Sequence, residues 1–201
     1  DGVRCETGVE HHVLHAAQAW LASPFDETAV LTADGQGEEL PRHGGRAVST
    51  ATAVAAGTSL RLLSEVLVPS SLGRLYMYAP FFLGFGAEQE GTTMALAGFG
   101  SDAFLDRIRD TFRLLPDGRY ELLPPDDPHA KPGELALVRA MQAYCPPRAR
   151  GGSLLPEHKD VARGVQHVTE EILLHVARTL HARSGQRRLA ISGGVGLNCV
   201  A

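Results

Sequence analysis

The sequence predicts a mixed α/β domain, and three observations carry that prediction. Val9 to Ala22 has an amphipathic helical period, with Val13, Leu14, Ala17, Trp20 and Leu21 recurring near every 3.6 residues. Glycine-linked apolar runs follow it, Ala29 to Ala33 and Ala47 to Thr52, each of a length that suits a buried strand. A long helical stripe from His158 to Ala182 then passes through Ser184-Gly185 into another buried strand, Arg188 to Ser192. Helices interleaved with short apolar strands pack as helices on a sheet.

Taken in order, the first helix is stopped by Ser23-Pro24, and the run 29–33 ends at Asp34. Gly44-Gly45 turns the chain into 47–52, which would form a hairpin with the first strand. Leucines at 60, 62, 63 and 67 favour a short helix over Ser59 to Leu67. From Pro69 to Gly100 the chain is rich in glycine and aromatic residues. Such density of small residues points to tight backbone approach, of helix on helix or of protein on ligand. Asp102 to Phe112 reads as a polar-faced helix, and Pro116-Asp117-Gly118 as a turn into a short strand, Arg119 to Leu122. Pro124 to Gly133, with four prolines, is the most linker-like piece and marks either a lobe boundary or a long surface loop. Glu134 to Tyr144 is a helix that Pro146-Pro147 ends. The last long helix carries Val161, Val165, Val168, Ile172, Leu173, Val176 and Leu180 in one stripe, and His175 within it reads as a core histidine with a backbone partner. There is no internal repeat and no low-complexity tract.

A chain of 201 residues, 44% hydrophobic and 21% charged, buries a core of ordinary size. Its formal charge of -4 gives no general pull toward nucleic acid or an anionic membrane. No apolar run approaches the roughly 20 residues that cross a bilayer, and Asp1-Gly2-Val3-Arg4 opens no signal-peptide core. Neither nucleic acid nor membrane is an expected partner, and a cytoplasmic location is expected. Cys5, Cys145 and Cys199 are odd in number and far apart, which suits free thiols better than a disulfide framework or a thiolate zinc site. Of the nine histidines, His43, His129, His158, His167, His175 and His181 stand alone and read as surface or internally satisfied side chains.

The other three define a candidate site. On a helix, His11 and His15 lie one turn apart and point the same way, the geometry of a two-imidazole metal clamp. Asp34 closes a strand and is followed by Gly35-Gln36-Gly37-Glu38, so a carboxylate and bare backbone amides emerge together. Two imidazoles and one carboxylate suit iron, zinc, manganese or nickel and leave coordination positions open for substrate. Glu6 and Glu10 are possible further oxygen ligands. If His11 and His15 hold a metal, His12 is the candidate general base, because imidazole titrates near neutral pH. The same run also fits a polar helix start with exposed histidines. At the other end of the chain, Gly193-Gly194 follows a strand and opens Val195-Gly196-Leu197-Asn198, a pattern in which free amides converge on phosphate and which ordinary α/β turns also show.

In order along the chain, Glu10-His11-His12-Val13-Leu14-His15-Ala16, Ser23-Pro24-Phe25, Asp34-Gly35-Gln36-Gly37-Glu38, Ser71-Leu72-Gly73-Arg74-Leu75-Tyr76, Leu83-Gly84-Phe85, Glu90-Gly91 with Met94 and Leu96-Ala97, Asp160-Val161-Ala162 with Gln166, and Gly193-Gly194-Val195-Gly196-Leu197-Asn198-Cys199 resemble the O-carbamoyltransferases of antibiotic and nodulation-factor biosynthesis. The resemblance covers nearly the whole chain. It implies an actin-like, sugar-kinase-like ATPase fold with ribonuclease-H-like lobes, related to the tRNA threonylcarbamoyl-transfer proteins. It also implies a reaction, in which an adenylate-forming domain absent from this chain makes carbamoyl-adenylate from carbamoyl phosphate and ATP. The domain present here would pass the carbamoyl group to a hydroxyl acceptor, a glycoside. By the same resemblance His11, His15 and Asp34 hold a divalent metal, foremost Fe(2+). Gly193, Gly194 and Asn198 belong to the nucleotide loop, and Gly35 and Gly37 to a second phosphate-facing turn.

The chain departs from the family pattern in lacking an N-terminal strand, an early histidine motif and a later metal-binding acid. Thr92-Thr93 stands where a lysine is common after Glu-Gly, and Ala95 replaces a usual glycine. The expectation is therefore a carbamoyltransferase catalytic domain over 1–201, truncated at both ends and inactive by itself. Two other readings share the glycine loops. One is an actin-fold sugar kinase, in which the histidine clamp has no task. The other is a non-catalytic nucleotide- or metal-binding module, whose basic tRNA-facing surface an acidic chain does not supply.

Overall fold

A computed structural model describes residues 9–123 and 135–201. Cys5, Glu6, His129 and the linker-like piece 124–133 lie outside the described residues. The sheet is built around β1 (Glu27–Ala33), which is buried at every residue after Glu27. A strand covered on both faces is a continuous apolar run, as this one is. On one side β3 (Arg46–Ala56) pairs antiparallel with it, from Ala33 opposite Thr50 to Glu27 opposite Ala56. On the other side β7 (Leu189–Ser192) runs parallel, with Ser192 beside Thr32. β4 (Ser59–Leu67) adds antiparallel to β3, and the short β2 (Glu39–Leu40) pairs with the start of β3. β5 (Phe112–Leu114) and β6 (Tyr120–Leu122) form a separate hairpin. The α/β class expected from the sequence is the class observed.

Helices cover both faces. On one lies α1 (His11–Leu21), whose buried line is His12, Ala16 and Trp20, packed on Val30, Ala53, Ala55 and Ala190. Leu14 and Leu21, expected on the packed face, are exposed. The other face carries the main core, where Leu31 and Ala33 meet α2 (Leu72–Phe82), α3 (Glu90–Ala97), α4 (Ala136–Tyr144) and α5 (Pro156–Ser184). In α5 Val161, Val165, Val168, Ile172, Val176 and Leu180 are buried, as its stripe requires. His175 bonds the Leu115 carbonyl at 2.9 Å, the backbone partner expected of it.

Two elements differ from expectation. Ser59–Leu67 is a strand, entered from β3 through a two-residue turn in which Gly57 has φ 59°. A register shift between Thr52 and Ala53 skips Leu63, so Leu60 and Leu62 pack toward Trp20 while Leu63 meets the opposite core. That break in alternation produces the helix-like leucine spacing. Asp102 to Phe112 is not one helix but two short 3-10 turns, Asp102–Arg107 and Arg109–Thr111. Its entry is fixed from outside, because Asp160 on α5 accepts from the Ser101 amide at 2.7 Å and hydroxyl at 2.9 Å. Tertiary bonds there override a weak helical preference.

Candidate metal centre

The carboxyl ends of the parallel strands β1 and β7 lie at one edge of the sheet, where open α/β sheets place their ligands. Asp34 follows β1 directly. Its Oδ2 accepts from His11 Nε2 at 3.0 Å and from His15 Nε2 at 2.9 Å, and its Oδ1 accepts from the Gly35 amide at 2.7 Å. One ligand atom from each of His11, His15 and Asp34 lies within 4.8 Å of the others. Partial burial raises the Asp34 carboxyl, but the bonds from His11, the Gly35 amide and His15 together hold it below its ordinary value. The helical spacing and the strand-end acid thus converge as expected. Two imidazole nitrogens and a carboxylate oxygen in such proximity fit a first-row divalent cation.

Neighbouring segments fix this cluster. Ser192, the last residue of β7, places its hydroxyl 3.3 Å from His15 Nδ1. Glu38 accepts from the His11 amide through both carboxylate oxygens, at 3.2 and 3.1 Å, and so satisfies a donor at the start of α1. The Ser71 hydroxyl donates to the Gly35 carbonyl at 2.6 Å, and a β-carbon at Gly73 would collide with the Asp34–Gly35 backbone. The small residue at 73 therefore serves close approach of α2 to the acid. Ser192 carries no chemical signature of its own in the sequence, and its place at the end of a strand just before Gly193-Gly194 is the one signal that points to it.

A cavity of about 440 Å³ adjoins Asp34, with Gly35, Gly194 and Asn198 in its wall. Tyr76, Met77, Met94, Val195 and Leu197 make it largely apolar, and its only charged lining groups among the described residues are Asp34 and Glu90. A β-carbon at Gly194 would lie 3.0 Å from Asp34 Oδ1, so the glycine keeps the carboxylate reachable. Asn198 is held by Gln166, which accepts from Asn198 Nδ2 at 2.8 Å and donates to its Oδ1 at 3.2 Å. Gln166 also accepts from the Tyr76 hydroxyl at 2.6 Å, linking α2, α5 and the glycine loop.

Other expected site residues sit differently. Gly193, with φ 93°, lies tight against the Ala33 carbonyl and spaces the loop from β1 rather than lining the cavity. The Gly37 amide donates to the Val48 carbonyl at 2.8 Å, so the sheet already occupies the donor that was expected to face phosphate. His12 is corrected as well. Its ring points into the sheet, 4% exposed, with Nε2 on the Val48 carbonyl at 3.0 Å and Nδ1 on the Thr32 hydroxyl at 2.8 Å. Burial, aided by the neighbouring His11, lowers its pKa to about 4. With both nitrogens engaged inside the protein, His12 has no lone pair to offer an acceptor hydroxyl, and the general-base role does not fit.

The α/β sheet with a histidine-rich cluster and a cavity at its strand ends defines a protein with a candidate ligand-binding metal centre. The description of the Carbamoyltransferase N-terminus family matches residues 5–201, and the chain belongs to that family. It is 34% identical over 195 residues to the uncharacterized protein sll1178 of Synechocystis sp., covering 96% of this chain and 30% of that protein. It is 32% identical over 193 residues to the nodulation protein NolNO of Sinorhizobium fredii, covering 95% of this chain and 26% of that protein. To the nodulation protein NolO of Bradyrhizobium diazoefficiens it is 30% identical over 192 residues, covering 95% and 32%. The chain spans about a third of the length of these relatives, or less.

Proposed function

We propose that this chain forms part of an O-carbamoyltransferase in which carbamoyl-adenylate, made elsewhere from carbamoyl phosphate and ATP, gives its carbamoyl group to a hydroxyl of a sugar-containing natural product. The family supports carbamoyl transfer as the class of chemistry. We assign the domain to the actin-like, sugar-kinase-like ATPases, an assignment that the motif resemblance and a ligand cavity at the strand ends both support. One observation carries the reading. His11, His15 and Asp34 meet beside a cavity whose lining contains acids and no lysine or arginine among the described residues. A phosphate leaving that cavity needs a positive partner that the lining does not provide.

In this reading His11 and His15 supply neutral imidazole donors and Asp34 the anionic one, with Fe(2+) or another divalent cation as the group held. A cation held by these three residues would supply the positive charge that a departing adenylate phosphate needs. The chain's own residues do the remaining tasks. The Gly35 amide fixes which Asp34 oxygen faces the imidazoles. Gly194 leaves the carboxylate open to the cavity, and the Gln166 pairing holds Asn198 in one orientation on the nucleotide side. Tyr76 and Met94 form apolar walls on the inner side of the cavity that limit water, which would otherwise hydrolyse an activated carbamoyl group.

The test is incubation of the full-length protein with carbamoyl phosphate, ATP and a glycoside, with products identified by mass. Carbamoylated glycoside is expected from the wild type. In His11→Ala and Asp34→Ala the rate should fall by about 100-fold or more, as loss of a metal ligand implies. Wild-type rates in both variants would remove the mechanism, and a phosphorylated sugar in place of the carbamate would assign the site to a sugar kinase.

A further inference from the structure

Packing alone orients a helix on a sheet poorly. The apolar contacts of α1 in this cluster come from Ala16, Ala19 and Trp20, and burial of apolar surface has no direction. Yet two side chains of α1 must meet a carboxylate from a different element. A rotation of α1 by about 20° would move an imidazole nitrogen on its surface by about 2 Å, the length of a metal–nitrogen bond. Something directional must hold the angle.

His12 is the one residue on the buried line of α1 with directional bonds. A carbonyl only accepts, so His12 Nε2–H donates to Val48, which leaves Nδ1 to accept from the Thr32 hydroxyl. These two bonds reach two neighbouring strands, Thr32 on β1 and Val48 on β3. They fix the ring in its plane, and with it the face that α1 turns to the strand end. The Val48 carbonyl has a second donor, the Gly37 amide at 2.8 Å, which tethers the loop that carries Asp34. One carbonyl therefore helps to hold both arms of the cluster, while the Asp34 amide donates separately to the adjacent Ser49 carbonyl at 2.9 Å. The imidazole arm reaches the Val48 carbonyl through His12, and the carboxylate arm through Gly37. The fit is close, since a β-carbon at Gly37 would stand 3.1 Å from His11 Cβ and 3.4 Å from His12 Cδ2.

We propose that His12 is a positioning residue which, through Val48 and Thr32, sets the rotation of α1 so that His11 and His15 converge on Asp34. This rests on the metal reading above for its consequence, but not for its geometry. The role is opposite to that of a proton carrier, because it requires both ring nitrogens to stay bonded throughout.

The experiment compares His12→Gln, His12→Phe and Thr32→Val in the full-length protein. Glutamine can still donate to Val48 and accept from Thr32, whereas phenylalanine fills the space without either bond. Two quantities are measured, the affinity and visible spectrum with Co(II), and hydrogen exchange of the 9–21 segment without metal. His12→Phe should weaken Co(II) binding by about tenfold or more, alter the ligand-field bands and speed exchange in α1. His12→Gln should stay within about threefold of the wild type, with Thr32→Val between them. Should His12→Phe fail to fold, the ordering of the wild type, His12→Gln and Thr32→Val decides the matter. Wild-type Co(II) affinity and spectrum in His12→Phe would overturn the proposal. So would equal loss of transfer in His12→Gln and His12→Phe with Co(II) affinity intact, the signature of a proton carrier. If the wild type itself takes up no Co(II), the metal reading fails, and the exchange comparison alone then upholds or overturns the positioning role.

Discussion

At the scale of single residues, burial, with the charges of Glu157 and Asp160 adding to it, pushes the Cys145 thiol up to about 11, while Cys199 is exposed. An alkylating reagent at pH 8 should modify Cys199 and spare Cys145 in the folded chain, as peptide mass mapping would read. The unfolded chain releases the Cys145 proton near 9.0 and the folded chain only near 11, so stability should decline as the pH rises through that interval. At the candidate centre, His11 and His15 are legible in the sequence because helical spacing alone stacks them, and Asp34 because an acid closing an apolar strand is conspicuous. Thr32, Ser192 and the Val48 carbonyl are not legible, since each acts across strands whose pairing no local pattern states. His12 is deceptive for the same reason, because its neighbours along the chain suggest a cluster member while its neighbours across the sheet make it a brace.

At the scale of elements, the long and strongly periodic segments α5, β1 and β7 were legible, and the short ones were decided by contacts. β4 carried leucines at a helical-looking spacing only because its ladder slips once against β3. The glycine-rich passage gave no period at all, yet it holds α2 and α3, and its glycines mark where backbone meets backbone. Gly73 is the sharpest case. Gly73→Ala forces a methyl group into the Asp34–Gly35 backbone, and we expect a loss of about 1–3 kcal/mol in stability by denaturant titration, the usual cost of overpacking. Because the displaced backbone carries Asp34, the same variant should weaken Co(II) binding, whereas Gly91→Ala, where a β-carbon meets nothing within 4 Å, should do neither.

At the scale of the whole molecule, the candidate centre joins α1, the end of β1 and, through Ser192, β7. A cation bound there adds to the stability of the folded chain by mass action. At a Co(II) concentration 100 times its dissociation constant the gain should be about 2.7 kcal/mol, read as a shift of the unfolding midpoint, and His15→Ala should abolish the shift. The parallel pairing of β1 with β7 has one more consequence, which concerns the order of events in folding. β7 lies far from α1 in sequence, so the Ser192 contact that braces His15 forms only by a distant closure, the kind of contact that forms slowly. Trp20, the single tryptophan, packs in the same cluster as Ala190 of β7 and reports that closure through its fluorescence. Recovery of Trp20 emission and recovery of Co(II) uptake should therefore share one rate constant during refolding. A residue whose only evident task is to fill space beneath a helix thus serves as the molecule's own clock for the readiness of its candidate metal centre.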